Sequence, residues 1–197
     1  MEKEVFVIVA LGNPGEQYAH TRHNAGFDTM DRLSRKYGVT LGRSALQGLL
    51  TEITAPERKI VLCEPQTYMN LSGECVKKVT DWYKCAPDHL MVIYDDIDLM
   101  PGTVRVRKSG GPGTHNGMRN IVEMLGRQDF PRIRVGTGDR PAGRDLADWV
   151  LSRYSPEEQA VMDRAFDIAA DAAEDWVKNG IDDAMRLAAE RMKDIKE

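Results

Sequence analysis

Cysteine is scarce in this chain: Cys63, Cys75 and Cys85 are odd in number and no two of them form a C-x-x-C pair. Neither a disulfide framework nor a zinc ribbon is indicated by such a set, and free thiols suit a reducing cytoplasm. Long apolar runs are missing too. Nothing approaches the roughly 18 apolar residues of a membrane span. The opening Met1-Glu2-Lys3-Glu4 has no cationic n-region, and the apolar run after it ends in Gly12-Asn13-Pro14-Gly15 rather than a small-residue cleavage site, so no secretory leader is expected. G-x-S-x-G does not occur, which excludes a serine nucleophile elbow. Repeats, linkers and low-complexity tracts are absent as well.

What is present describes one globular unit spanning 1–197. At 22.1 kDa, with 42% hydrophobic and 29% charged residues, the chain can bury a core without disulfides or a structural metal. Its net charge of −4 argues against nucleic acid, but the distribution does not. Residues 101–144 hold nine Lys or Arg against three acids, whereas 145–197 hold seven against fourteen. An acidic shell with one basic sector still suits a phosphate backbone, because the contact is local and salt screens charges beyond ~8–10 Å. A solvated charge asymmetry accounts for the same numbers.

Apolar spacing alternates between strand and helix periods. Val5 to Leu11 reads as a buried strand, and 24–37 as a helix carrying Phe27, Met30, Leu33 and Tyr37 that stops at Gly38. Runs 49–54 and 59–63 predict a hairpin, 71–83 a helix, and 89–94 a buried parallel strand ending in Asp95-Asp96-Ile97-Asp98. In 103–107 strict alternation sends Val104 and Val106 to the core and Arg105 and Arg107 away from it. The run 132–135 alternates likewise, with Arg132 and Arg134 expected to face away. A helix with Met118, Ile121, Val122 and Leu125 ends at Gly126, and Ser155-Pro156-Glu157-Glu158 is a capping box opening a helix to Asn179-Gly180. The pattern predicts an α/β fold, a three-layer α/β/α sandwich around a mixed, mostly parallel twisted sheet.

In such folds ligands gather at the carboxyl ends of strands. The loop Asn13–His23 and the segment 94–98 each leave a buried strand, so His23 and Asp95 meet if those strands are parallel neighbours. An imidazole of ordinary pKa ~6.5 can take a proton from water near neutral pH, and a carboxylate on its other nitrogen fixes the tautomer. Asp95, Asp96 and Asp98 with His115 offer a competing metal set, though their spacing matches no zinc motif. Gly111-Pro112-Gly113-Thr114-His115-Asn116 is a near miss of the dinucleotide fingerprint and suits phosphate at a helix N-terminus better than a cofactor. Asn13, Asn70 and Asn116 all precede helices; each reads singly as a cap, and together as amides converging on one sheet edge. His20 and His89 carry no functional signal.

Four motifs, Gly12-Asn13-Pro14-Gly15 with Tyr18 and Thr21-Arg22-His23-Asn24-Ala25-Gly26, Pro65 to Gly73, Asp95-Asp96-Ile97-Asp98, and Thr114-His115-Asn116-Gly117, occur in order across nearly the whole chain. The sequence resembles bacterial peptidyl-tRNA hydrolase. The resemblance implies a monomeric, cytoplasmic, metal- and cofactor-independent esterase that cleaves the ester joining a peptide to the 3′-terminal ribose of tRNA. It implies that His23 is the general base, Asp95 its orienting carboxylate, and Asn13 the residue that senses a blocked α-amino group. Asn70 and Asn116 would contact the peptide and the 3′ end, and Tyr18 and Tyr68 would line the crevice. Arg107 and Arg134 would clamp the tRNA 5′ phosphate. Peptidyl-tRNA is the implied partner, with stalled large ribosomal subunits as a further one and no membrane. Two departures stand out: Gly110-Gly111-Pro112-Gly113-Thr114 replaces a more glycine-rich loop, and Tyr68 stands where Phe is common.

Overall fold

The computed structural model describes residues 3–194. Seven strands form one sheet in the order β2-β3-β4-β1-β5-β7-β6. These are β1 Glu4–Ala10, β2 Arg43–Ala45, β3 Gly48–Thr54, β4 Arg58–Pro65, β5 Leu90–Asp96, β6 Val104–Arg107 and β7 Arg132–Gly136. The central four, β4-β1-β5-β7, run parallel, while β2, β3 and β6 add antiparallel edges. The mixed sheet with a parallel centre therefore matches expectation.

Both faces of the centre are covered, which explains the unbroken apolar sequence of β1. Phe6, Ile8 and Ala10 enter one core cluster, and Val7 and Val9 the other. On the first face lie α1 (Ala25–Tyr37), α5 (Pro156–Asn179) and α6 (Ile181–Asp194); on the second lie α2 (Ser72–Trp82) and α3 (Asn116–Leu125). A sixth, short helix, α4 (Leu146–Val150), follows β7. Local chemistry sets the boundaries. Gly38 takes the left-handed conformation that stops α1, at φ 65°. Ser155 and Glu158 close a reciprocal capping box on α5.

The strand order reverses direction at β1. From β1 the chain leaves through α1 toward β2, β3 and β4, and from β4 it returns over α2 to β5 on the other side. The crevice beyond the carboxyl ends of β1 and β5 is thus the topological switch point, where an open α/β sheet binds its ligand. Gly26 lets α1 start against that crevice: a Cβ there would lie 2.4 Å from the Leu11 carbonyl oxygen and 2.7 Å from that of Ile93.

One expectation fails on the second face. Arg132 does not point away from packed protein; it is 1% exposed. Its guanidinium donates to the carbonyls of Gln128 (2.7 Å), Phe130 (3.3 Å) and Gly111 (3.3 Å), beneath the loop that precedes α3. Alternation correctly separates Arg132 from Ile133, but the second face is covered by α3 and that loop, so the outward direction leads into protein. Backbone carbonyls, which a strand pattern cannot reveal, solvate the cation.

Candidate active site

His23 lies in a 3₁₀ turn, Arg22–Asn24, at the end of the loop leaving β1, and Asp95 is the penultimate residue of β5. Because β1 and β5 pair in parallel, with Ala10 opposite Ile93, the two side chains meet at the switch point. His23 Nδ1 stands 2.9 and 3.0 Å from the two Asp95 carboxylate oxygens. The imidazole is 12% exposed and the carboxylate 2%.

A second histidine completes the arrangement. His115 Nε2 lies 2.8 Å from Asp95 Oδ1, while its Nδ1 accepts the Met118 N–H at 3.2 Å as the N-cap of α3. The Met118 donor fixes the His115 tautomer: Nδ1 is the bare nitrogen and Nε2 carries the proton given to Asp95. Asp95 therefore receives N–H groups from two imidazoles, and the His23 proton that faces it leaves His23 Nε2 as the free base. Burial alone would raise the Asp95 pKa, but the two histidines outweigh it and hold the carboxyl well below its ordinary range. Burial would lower the His23 pKa; the Asp95 charge and hydrogen bond overcome that and raise it.

Asn13 is no helix cap. Its Oδ1 accepts the Met69 N–H at 2.8 Å, and its backbone exchanges hydrogen bonds with the Asn24 amide at 2.9 and 3.0 Å. With Oδ1 committed, Nδ2 is the group left for a ligand. The same contact ties the loop leaving β4 to the loop leaving β1. Around these residues lies a cavity of about 710 Å³. All nine residues singled out from sequence line it: His23, Asp95 and Asn13, then Tyr18, Tyr68, Asn70 and Asn116, and finally Arg107 and Arg134. Tyr68 and Asn70 are exposed on the short turn before α2, and Asn116 is exposed as the first residue of α3. Arg134 donates Nε to Asp96 Oδ2 at 2.5 Å, whereas the exposed Arg107 donates to the Val106 carbonyl at 2.9 Å.

The metal set proposed from sequence does not converge. Asp96 is held by Arg134 and by the Asp98 N–H, and Asp98 is exposed on a turn. Among the described residues the group close enough to share an ion is His23, Asp95 and His115. Its donor types suit zinc, yet His115 would have to ligate through the nitrogen that carries its proton, with Met118 N–H opposing the alternative tautomer. Sequence reasoning weighed His115 only as a ligand and missed its hydrogen bond to Asp95. The available signal was its place immediately before a helix at the same sheet edge.

Comparison with known proteins agrees along nearly the whole chain. The family model described as peptidyl-tRNA hydrolase matches residues 7–196. A peptidyl-tRNA hydrolase of Clostridium novyi is 45% identical over 92% of this chain and 96% of its own length. One from Syntrophomonas wolfei is 46% identical over 91% and 97%. The crystal structure of peptidyl-tRNA hydrolase from Acinetobacter baumannii superposes with a TM-score of 0.88 at 35% identity, covering 95% of this chain and 96% of that one.

Proposed function

Because the chain belongs to the peptidyl-tRNA hydrolase family and cleaves peptidyl-tRNA to release the tRNA, we propose that His23, oriented by Asp95, is the base that activates the attacking water. The observation that carries this reading is the His23–Asp95 contact at the floor of the cavity, with Nδ1 committed and Nε2 free. His23 Nε2 takes a proton from water as the oxygen adds to the ester carbonyl. The tetrahedral adduct then expels the ribose oxygen, which receives the proton from the imidazolium. The products are a free carboxylic acid and a tRNA with its 3′-terminal hydroxyl restored. Asp95 stabilises the intervening imidazolium, and His115 keeps Asp95 in place to do so.

The remaining residues divide the substrate between them. Asn13 Nδ2 meets the carbonyl of a blocked α-amino group, which a free amine lacks. Asn70 and Asn116 contact the peptide and 3′ end, and Tyr18 and Tyr68 offer aromatic faces to the terminal adenine. Arg107 and Arg134 hold the 5′ phosphate. The reading extends to a monomeric cytoplasmic enzyme of one domain that also meets stalled large ribosomal subunits. No helix among the described residues is long and apolar enough to cross a membrane.

Release of N-acetyl-amino acid from charged tRNA, with the free-amine aminoacyl-tRNA as control, tests the assignment. Wild type should cleave the blocked substrate and spare the free one, with the same rate in EDTA. Complete loss in chelator, restored by added metal, would overturn the water-and-imidazole mechanism.

A further inference from the structure

Arg22 immediately precedes the base and is buried, yet it touches none of the reacting groups described above. Its guanidinium uses every edge. Two hydrogen bonds run from one terminal nitrogen to Glu158, at 3.0 and 2.9 Å; the other reaches the Thr137 carbonyl at 3.3 Å, and Nε reaches Ser152 Oγ at 3.2 Å. Its flat face lies 3.7 Å from the centre of the Trp149 ring, and its backbone N–H donates to the Ser152 carbonyl at 2.9 Å. One side chain thereby joins the loop of His23 to the end of β7, the first turn of α5 and the indole of α4.

Helix α4 cannot hold itself in place. It has five residues, far below the length at which a helix persists without packing. Trp149 is its anchor, wedged between the Arg22 guanidinium and the Gly138 carbonyl, which accepts the indole N–H at 2.9 Å. Leu146 and Val150 of α4, with Leu151 at its C-cap, line the same cavity as His23, Asp95 and the asparagines. An apolar wall at fixed distance from the base suits the side chain of the residue esterified to tRNA.

We infer that Arg22 is a positioning residue for substrate selection: by stacking on Trp149 it sets the distance between His23 and the apolar wall of α4, so that a large apolar side chain is gripped while the ester faces the base. The inference rests on the reading that this cavity takes the esterified residue. Stacking and a four-way fork of donors explain why arginine, rather than lysine, stands here.

The test uses Arg22→Lys, which keeps the charge but loses the flat face and the fork. Amide hydrogen exchange across 146–151 should speed up by about tenfold or more, since local opening no longer breaks the stack. The ratio of kcat/KM for N-acetyl-phenylalanyl-tRNA to that for N-acetyl-glycyl-tRNA should fall about fivefold, carried by KM. The rising limb of the pH profile should stay where His23 and Asp95 set it. Glu158→Gln removes the charge of the partner while a glutamine preserves the capping box, so it should move both readouts in the same direction by less, and it decides the matter if Arg22→Lys fails to fold. His23→Ala should leave exchange in α4 unchanged. Unaltered exchange in a folded Arg22→Lys overturns the inference, and so does an equal loss on both substrates. If wild type cleaves neither substrate the family reading fails instead, while the exchange data still decide whether Arg22 holds the wall.

Discussion

Two histidines three residues apart each meet an aspartate, and the two pairs differ in almost everything but their contact distance. His23 Nδ1 meets Asp95 at 2.9 Å, and His20 Nδ1 meets Asp28 at 2.7 Å. Asp95 receives both imidazoles at the cavity floor, so its charge is matched and its pKa is driven down. Asp28 is buried too, but its Oδ2 has no partner among the described residues and its histidine is 67% exposed. Burial therefore prevails and pushes the Asp28 pKa up to about 6. A histidine beside a carboxylate does not make a base catalyst. A second donor on the carboxylate, and a place on the wall of the cavity at the switch point, distinguish the pair proposed to act from the pair beside it.

His23→Ala should show the largest effect, a 10²–10⁴-fold loss of kcat with folding intact, in the range for removal of a general base. His20→Ala should change kcat less than about twofold, since its ring faces solvent away from the cavity. Equal losses from both substitutions would erase the distinction. Asp95→Asn follows, at roughly 10²-fold in kcat. It should also move the rising limb of the pH–rate profile to lower pH. The sign follows from charge: activity requires neutral His23, Asp95 raises the His23 pKa, and removing that charge lets the imidazole deprotonate earlier. An unmoved limb would mean that Asp95 does not sense the base.

The pairs should also pull stability in opposite directions with pH. Asp28 binds its proton more tightly when folded, so its contribution favours folding at low pH and is lost as pH rises through about 6. Asp95 binds its proton less tightly when folded, so its contribution is present above the ordinary carboxylate range and is lost only as pH falls toward its depressed value. Asparagine at position 28 still accepts from His20 and does not titrate. Urea unfolding of wild type and Asp28→Asn should diverge between pH 5 and 8, with wild type losing about 1 kcal/mol relative to the variant. Parallel pH dependences would show that Asp28 is ionised throughout.

Periodicity reached the layers, the parallel centre, the strand-end loops and the meeting of His23 with Asp95, because those features follow from which faces are apolar. It missed what side chains do once buried. Strand β2 has no alternation to read, and its turn places Leu46 and Gln47 at positive φ with none of the Asn-Gly chemistry that marks a tight hairpin. Arg132 read as surface charge and Arg22 drew no reading of its own, yet one is solvated by carbonyls and the other by a carboxylate and an indole. His115 drew attention as a possible metal ligand, and its actual work depends on a helix N-terminus that fixes its tautomer. The polar groups among these misses each have a partner brought in from another segment, Gly111 for Arg132, Glu158 and Trp149 for Arg22, and Asp95 for His115, where sequence spacing carries no information.

The smallest effects, and the finest division of the cavity, belong to Arg107 and Arg134. Both should raise KM for full-length tRNA with kcat near wild type, because phosphate contacts remote from the ester serve ground and transition states alike. Each alanine variant should reduce the slope of log K against log[salt] by about 0.7–0.9, the value of one lost contact. They should differ in one respect. Arg107 has no carboxylate partner among the described residues, so its removal deletes a cation and its contact with the Val106 carbonyl. Arg134 is paired with Asp96, so Arg134→Ala also bares a carboxylate on the cavity wall where phosphate approaches, and its KM should rise further. Adding Asp96→Asn to Arg134→Ala should bring KM back to the level of Arg107→Ala. A substrate reduced to the 3′-terminal nucleotides and the acyl-amino acid lacks the tRNA body, and wild type and all three variants should process it equally. Impairment on that fragment equal to the impairment on whole tRNA would put the arginines beside the ester, and the division between a catalytic floor and a phosphate-binding rim would be wrong.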